Sequence, residues 1–466
     1  MSRSAKLRRR SFLGGVAASA GLAVLPGAAR GSSRRQPNFI IVMTDDLGFG
    51  DIGPYGNRLI PTPNLDRMAV EGVTLTDYYS PAVVCTPSRA GMLTGRHAIR
   101  SGMSQVLFPS SETGLPLSER TIAELLRPDY ATALFGKWHL SSQGPSWPPT
   151  VHGFDRFFGI PFSHDMKPLS LFAAEAGSPN VRQMPVDFDF NGALGRFDPG
   201  SMKPASLTSQ LQQQFYAEAE RFVIENAERP FYIELWLSSP HLPEIPAEEF
   251  KGTTRAGPYG DMVAEIDSII GRLRARLAEL GIEQDTLVAV TSDNGPWYWG
   301  SSGGLRERKG NGVYDGGSRV PFIAVQPGKI PAGGRHDWLA SGLDVLPTLC
   351  AMAGRPLPSG VELDGFDMTD VLTGRGPSPR EELAIFTGQD VTAIRTQRWK
   401  YNRQRTYDVF GYDELYDVSV DPSESYNVRD RYPEVAADMA GRLDAAIERF
   451  APFRHEVVSP AEMRAQ

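Results

Sequence analysis

The sequence predicts an α/β protein, with a large, mostly parallel sheet flanked by helices and a smaller C-terminal α+β domain. Three observations predict it. Short, continuous apolar runs rich in β-branched residues recur between residues 38 and 291, as expected of strands buried on both faces. Helical periodicities lie between them, and strands alternating with helices argue for a parallel sheet covered on both sides. After about Gly354 the pattern changes to short strands and one amphipathic helix. A chain of 466 residues, 41% hydrophobic and 22% charged, excludes a disordered chain, a collagen-like repeat and a disulfide-stapled miniprotein. A formal charge of −7, with no basic block beyond the first ten residues, argues against a nucleic-acid partner.

Residues 1–29 carry five basic residues, no acidic ones, and an apolar run of 14 residues from Phe12 to Leu25. That run is short for a membrane span, which needs about 20 residues. Arg9-Arg10-Ser11-Phe12-Leu13 resembles a twin-arginine export motif, and Gly27-Ala28-Ala29 supplies the small residues of a cleavage site. The expectation is a cleaved signal passing through the Tat export machinery to the periplasm or outside; an uncleaved membrane anchor is the alternative. Residues 30–354 are then the catalytic α/β domain and residues 355–466 the smaller domain.

The first strand is Asn38 to Thr44, running straight into Asp45-Asp46. Ser118 to Leu126 reads as a helix capped by Ser118. Ala131 to Phe135 is a second strand, leading into Gly136-Lys137-Trp138-His139, and Phe231 to Leu237 a third, followed by Ser238-Ser239-Pro240-His241. Asp261 to Leu280 is the clearest helix, its apolar residues in register with the helical period and Gly281 as the stop. Thr286 to Thr291 is the fourth strand, ending in Ser292-Asp293-Asn294-Gly295. In the last part, Thr396 to Tyr401 and Glu414 to Asp417 read as strands, Asp421 to Glu424 as a turn, and Pro433 to Phe450 as a helix.

All four strands place polar residues at their carboxyl ends, where open α/β sheets bind ligands. Asp45, Asp46, Asp293 and Asn294 offer only oxygen, which favours Ca2+, or Mg2+, over zinc. Arg89, Lys137, His139, His241 and Lys309 add positive charge and donors. A cation among several basic groups suits an anionic substrate whose leaving oxygen needs stabilising, such as a phosphate or sulfate ester. Taken singly, an Asp-Asp pair is an ordinary helix cap or turn, and each histidine is as readily structural. Only their coincidence at one sheet edge favours chemistry. Cys350 ends the apolar run Leu343 to Leu349 and reads as a small buried hydrophobe.

Cys85 stands just ahead of an expected helix start, with Pro87 near the first turn, where anions bind and nucleophiles are activated. Cys85-Thr86-Pro87-Ser88-Arg89 followed by Ala90-Gly91-Met92-Leu93-Thr94-Gly95 resembles the signature of the type I, formylglycine-dependent sulfatases. Asp45-Asp46-Leu47-Gly48, Thr62-Pro63-Asn64-Leu65-Asp66, Gly136-Lys137-Trp138-His139, Ser292-Asp293-Asn294-Gly295 and Tyr314-Asp315-Gly316-Gly317 extend the likeness along the chain. Gly159 to Asp165 is similar to a segment of arylsulfatase A and the galactosamine-6-sulfatases that contributes a site serine, here Ser163.

The resemblance implies an alkaline-phosphatase-like fold and hydrolysis of aryl or carbohydrate sulfate monoesters to alcohol and sulfate. It implies that Cys85 is converted to Cα-formylglycine by a formylglycine-generating enzyme reading Pro87 and Arg89. Asp45, Asp46, Asp293 and Asn294, with the modified residue 85 nearby, would hold Ca2+. Arg89 would hold the nucleophile region in place, Lys137 and Lys309 the sulfate oxygens, and Ser163 the substrate. His139 would act as base on the aldehyde hydrate, and His241 would donate to the leaving oxygen. The chain departs from the family pattern at Ser141 and at the charged segment Leu305 to Gly312, which has one extra residue before Tyr314. Trp297, Tyr298 and Trp299 are open to two readings, packing or a substrate rim. Two other functions fit the same motifs, a phosphonate or phosphodiester hydrolase with the same nucleophile and a catalytically silent sulfoglycan-binding protein.

Overall fold

The structure is a computed structural model and describes residues 36–166, 169–185, 207–403 and 412–455. The export segment lies outside the described residues. In chain order the first half contains β1 (Asn38–Thr44), α1 (Pro63–Glu71), β2 (Val73–Leu75), β3 (Tyr78–Tyr79), α2 (Cys85–Thr94), α3 (Ile122–Leu126), β4 (Ala131–Lys137), β5 (Arg156–Ile160), β6 (Ser170–Glu175) and β7 (Arg182–Pro185). The second half contains α4 (Leu211–Glu225), β8 (Phe231–Trp236), α5 (Gly257–Glu279), β9 (Thr286–Ser292), β10 (Phe322–Val325), β11 (Gly334–His336), β12 (Ala340–Ser341) and α6 (Val345–Ala353). After these come α7 (Thr369–Leu372), β13 (Glu382–Thr387), β14 (Asp390–Thr396), β15 (Trp399–Arg403), β16 (Asp413–Asp417) and α8 (Pro433–Phe450).

Ten strands form one sheet in the order β11-β2-β10-β9-β1-β8-β4-β5-β6-β7. The run from β9 to β5 is parallel, so β9, β1, β8 and β4 end along one edge. β10 pairs antiparallel with β9, and β6 and β7 extend the other side antiparallel. The period of two decides what covers each face. Phe39, Ile41 and Met43 of β1 face a core with Trp138, Trp236 and Leu346, while Ile40 and Val42 face Phe215, Ile266 and Ile270 of α4 and α5. Gly136 allows β4 to lie close against β8, because a Cβ there would sit 1.8 Å from Trp236 O and the residue has φ +121°.

The four expected strands are present, and three local details differ. α3 is capped by Thr121, which accepts from the Glu124 N–H while Glu124 returns a bond to the Thr121 N–H, so Ser118 has no capping role. α5 starts at Gly257, a turn before Asp261, with Pro258 in its first turn. Thr396 to Tyr401 is not one strand, because Thr396 ends β14, Gln397 and Arg398 make a turn, and Trp399 to Tyr401 begin β15. The C-terminal sheet β13-β14-β15-β16 is wholly antiparallel, and α8 buries Met439, Leu443 and Phe450 against it. Among the described residues no helix is long and apolar enough to cross a membrane.

Candidate active site

The carboxyl edge of the sheet delivers each group from a different strand. Asp45 and Asp46 follow β1, Lys137 ends β4, His241 follows β8, and Asp293 and Asn294 follow β9. Asp46 and His139 have left-handed backbones, φ 67° and 58°. Such conformations in non-glycine residues cost energy and concentrate at functional sites. The turns are tied together, with the Asp45 N–H donating to Ser239 O (3.0 Å), the Asp293 N–H to Thr44 O (3.0 Å) and the Asp46 N–H to Asp293 Oδ1 (3.3 Å).

Cys85 is the first residue of α2, one position later than a cap, and is buried with a free thiol. Its Sγ lies 3.7 Å from Asp45 Oδ1 and 3.5 Å from Lys309 Nζ. Lys137 Nζ donates to Asp45 Oδ2 at 2.6 Å, and Lys309 Nζ to Asp46 Oδ1 at 2.6 Å. The departures around Lys309 therefore leave its ammonium in the site. Arg89 Nε and Nη2 both donate to Asp293 Oδ2 (3.0 and 2.7 Å), Nη1 donates to Lys137 O, and the guanidinium lies 5.2 Å over the Trp236 ring. Ser141 supports the neighbouring Trp138, whose Nε1 donates to Ser141 Oγ at 3.1 Å.

Charge compensation sets the protonation states. Burial would raise the Asp45 carboxyl, but Lys137, His241 and Arg89 hold it well below the ordinary value. Burial would lower Lys309, but Asp46, Cys85 and Asp45 hold it well above the usual lysine value, so it stays charged. Burial, opposed by Lys137 and Lys309, pushes the Cys85 thiol up to about 11. Burial, reinforced by Lys137, keeps His139 well below the usual histidine value and neutral. Its Nε2 meets the Leu107 carbonyl at 2.9 Å and must carry the proton, which leaves a buried, unpartnered lone pair on Nδ1. His241 Nδ1 donates to Leu242 O at 2.7 Å, and Nε2 lies 3.8 Å from Asp46 Oδ2.

The site fits a hard cation. Asp46 Oδ2 and Asn294 Oδ1 are buried acceptors without a partner, and Asn294 Nδ2 donates to Asp46 Oδ1 at 2.7 Å, so the two residues are adjacent. Buried acceptors normally have donors or a cation. Ligating atoms of Asp45, Asp46, Cys85 and His241 also lie within 4.8 Å of one another. That grouping brings in His241, whereas Asp293 spends one oxygen on Arg89 and the other on the Asp46 N–H. Ser163 is buried with an unpartnered hydroxyl. Tyr298 and Trp299 are 72% and 61% exposed, so neither is core.

Sequence reasoning missed three contributors. Trp236 supports Arg89 from the end of β8, Ser239 O anchors the Asp45 turn, and Asp165 Oδ1 lies 4.0 Å from His241 Nδ1. Asp165 and Ser239 stand inside segments that were legible, but only the fold shows what they face.

The Sulfatase family model matches residues 37–355, and one described as N-sulphoglucosamine sulphohydrolase, C-terminal, matches residues 310–449. Human arylsulfatase A is 38% identical over 486 aligned residues, covering 94% of this chain and 92% of its own. Human steryl-sulfatase is 34% identical, covering 80% of this chain and 77% of its own. The crystal structure of PsFucS1 sulfatase from Pseudoalteromonas sp. superposes with a TM-score of 0.78 at 28% identity, over 91% of this chain and 92% of that one. Fold, site and relatives together define a sulfuric ester hydrolase. The chain belongs to the sulfatase family, and its reaction is the hydrolysis of sulfate esters.

Proposed function

We propose that the chain hydrolyses aryl or carbohydrate sulfate monoesters with residue 85 as Cα-formylglycine and with Ca2+ held by Asp45, Asp46, Asp293 and Asn294. The observation that carries this reading is the state of Cys85. Its thiol is buried and protonated at neutral pH, with a pKa near 11, yet it stands between two lysines and a row of carboxylates. Thiolate attack is disfavoured there. Conversion to the aldehyde supplies, as its hydrate, a nucleophilic hydroxyl and a second hydroxyl whose deprotonation releases sulfate.

The chain's own groups then divide the work. Lys137 and Lys309 bring two ammonium groups to the sulfate oxygens, and Arg89 holds Asp293 and the end of β4 in place. His139, neutral and with Nδ1 free, accepts the proton of the hydrate. His241 faces the leaving oxygen, and Ser163 contacts substrate. A cation held by Asp45, Asp46, Asp293 and Asn294 would neutralise these crowded carboxylates and would supply Lewis acidity for the sulfate. Partners of this reading are a sulfate ester, a formylglycine-generating enzyme and the Tat export machinery, with residues 1–29 directing the protein to the periplasm or outside.

Peptide mass spectrometry of the protein from its native host tests it. The peptide carrying residue 85 is expected about 18 Da lighter than the cysteine form. An unmodified thiol in active protein would overturn the formylglycine reading.

A further inference from the structure

Lys309 reaches the site from an irregular segment between β9 and β10, and only part of its support comes from the large sheet. Its own N–H donates to Pro296 O at 3.1 Å and that of Gly310 to Val83 O at 2.8 Å. The rest comes through the turn Asp315–Gly317. The Gly316 N–H donates to Arg306 O at 2.8 Å, and Gly317 O accepts from the Gly295 N–H at 2.9 Å. One turn therefore grips both the Lys309 segment and the residue after Asn294. The approach is close, since a Cβ on Gly316 would sit 2.1 Å from Glu307 O.

The C-terminal sheet holds that turn. Lys400 Nζ, from β15, lies 2.8 Å from Asp315 Oδ1 and 2.8 Å from Glu424 Oε1, and all three side chains are fully buried. Glu424 Oε2 accepts from the Asp315 N–H at 2.6 Å, and Glu424 O accepts from Arg306 Nη1 at 3.1 Å. Glu424 holds these contacts with a left-handed backbone, φ 53°. Residues keep such strain where their surroundings demand it, often at functional sites. A buried ion cluster adds little stability over an apolar contact of the same shape. What this one supplies is direction, through bonds aimed at one N–H and one carboxylate.

We propose that Lys400 and Glu424 are positioning residues for the active site, acting through Asp315 to set where the Lys309 ammonium meets the sulfate. The proposal rests on the reading of Lys309 as a sulfate-binding group. The C-terminal sheet is then one wall of catalysis, and misplacing a charged group by an ångström costs rate as surely as removing part of it.

The test is a double-mutant cycle on the active protein. Lys400→Met/Glu424→Gln removes one charge of each sign and leaves Asp315 paired with Arg319 and Tyr79. It is compared with Lys309→Ala and with the combination of all three. The readouts are kcat and KM on nitrophenyl sulfate, the affinity for inorganic sulfate by calorimetry, and Tm. The paired variant is expected to lose about tenfold or more in kcat/KM and to weaken sulfate binding. In the Lys309→Ala background the same change is expected to cost nothing further. Losses that multiply, or a folded paired variant with wild-type kinetics, would overturn the proposal. Wild-type kinetics and sulfate affinity in Lys309→Ala would overturn the reading of Lys309 and the proposal with it. If the paired variant does not fold, Lys400→Arg keeps the charge with a different head group and enters the same cycle with the same expectations.

Discussion

His139 shows how one residue is prepared for one step. Its ring is buried, Lys137 adds to the cost of a second proton, and Leu107 O fixes the existing proton on Nε2. A base needs a free lone pair facing the proton it takes, and Nδ1 is the unpartnered atom. His139→Ala is expected to lower kcat on nitrophenyl sulfate by about 10²–10⁴-fold, the usual worth of a general base. Sulfate affinity is expected to change much less, because Lys137 and Lys309 carry the anion. In rapid-mixing experiments a stoichiometric burst of nitrophenol should precede the slow phase, since the base serves the release step. A variant with loss of the burst and unchanged release would place His139 in the first step instead.

At the scale of elements, β8 contains a residue that a buried strand has little reason to keep. Glu234 is fully buried, accepts from Trp236 Nε1 at 2.6 Å and from the Tyr232 hydroxyl, and shares a face with Trp236, the platform beneath Arg89. Burial raises its carboxyl to about 8, against those hydrogen bonds and Arg89. In the unfolded chain the same carboxyl titrates near 4.5. The folded state therefore binds this proton more tightly, and the stability it brings is full below about pH 4.5 and lost as pH rises through about 8. Between pH 6 and 9 the wild-type Tm is expected to fall, and in Glu234→Gln that part of the fall is expected to disappear. Parallel falls in both proteins would show that the carboxyl does not titrate in that range.

Elements were legible where one pattern dominated. β1 runs from Asn38 to Thr44 and α8 from Pro433 to Phe450, as their apolar periods require. The turn between β14 and β15 was hidden because it has no glycine or proline; the Thr396 hydroxyl closes it by bonding both N–H and C=O of Trp399. Thr121 and Glu124 did carry a capping-box spacing, and Ser118 obscured it. The short strands β2, β10 and β11 pair across long separations, which no local pattern encodes. The same limit hid Lys400 and Glu424, because what they hold lies in another part of the chain.

Across the whole molecule the site joins segments from Asp45 to Lys309, so whatever neutralises their charge also joins the turns that carry them. Lys137 and Lys309 already sit on Asp45 and Asp46, and Arg89 on Asp293. That compensation holds the Asp45 carboxyl well below its ordinary value, but it leaves Asp46 Oδ2 and Asn294 Oδ1 buried without a partner. A divalent cation binding those oxygens in the folded chain alone stabilises it by mass action, by about 2.7 kcal/mol at a concentration 100-fold above its dissociation constant. Chelation is therefore expected to abolish turnover and lower Tm by a few degrees without unfolding the chain, since the lysines remain. Ca2+ should restore both. Mg2+ should restore them less well, because it demands near-ideal octahedral geometry and gives up its waters reluctantly, whereas Ca2+ accepts an irregular set of oxygens. Calorimetry of the chelated protein with each ion, beside activity, makes the measurement. Full activity and an unchanged Tm after exhaustive chelation would show that the lysines and Arg89 alone complete the charge balance.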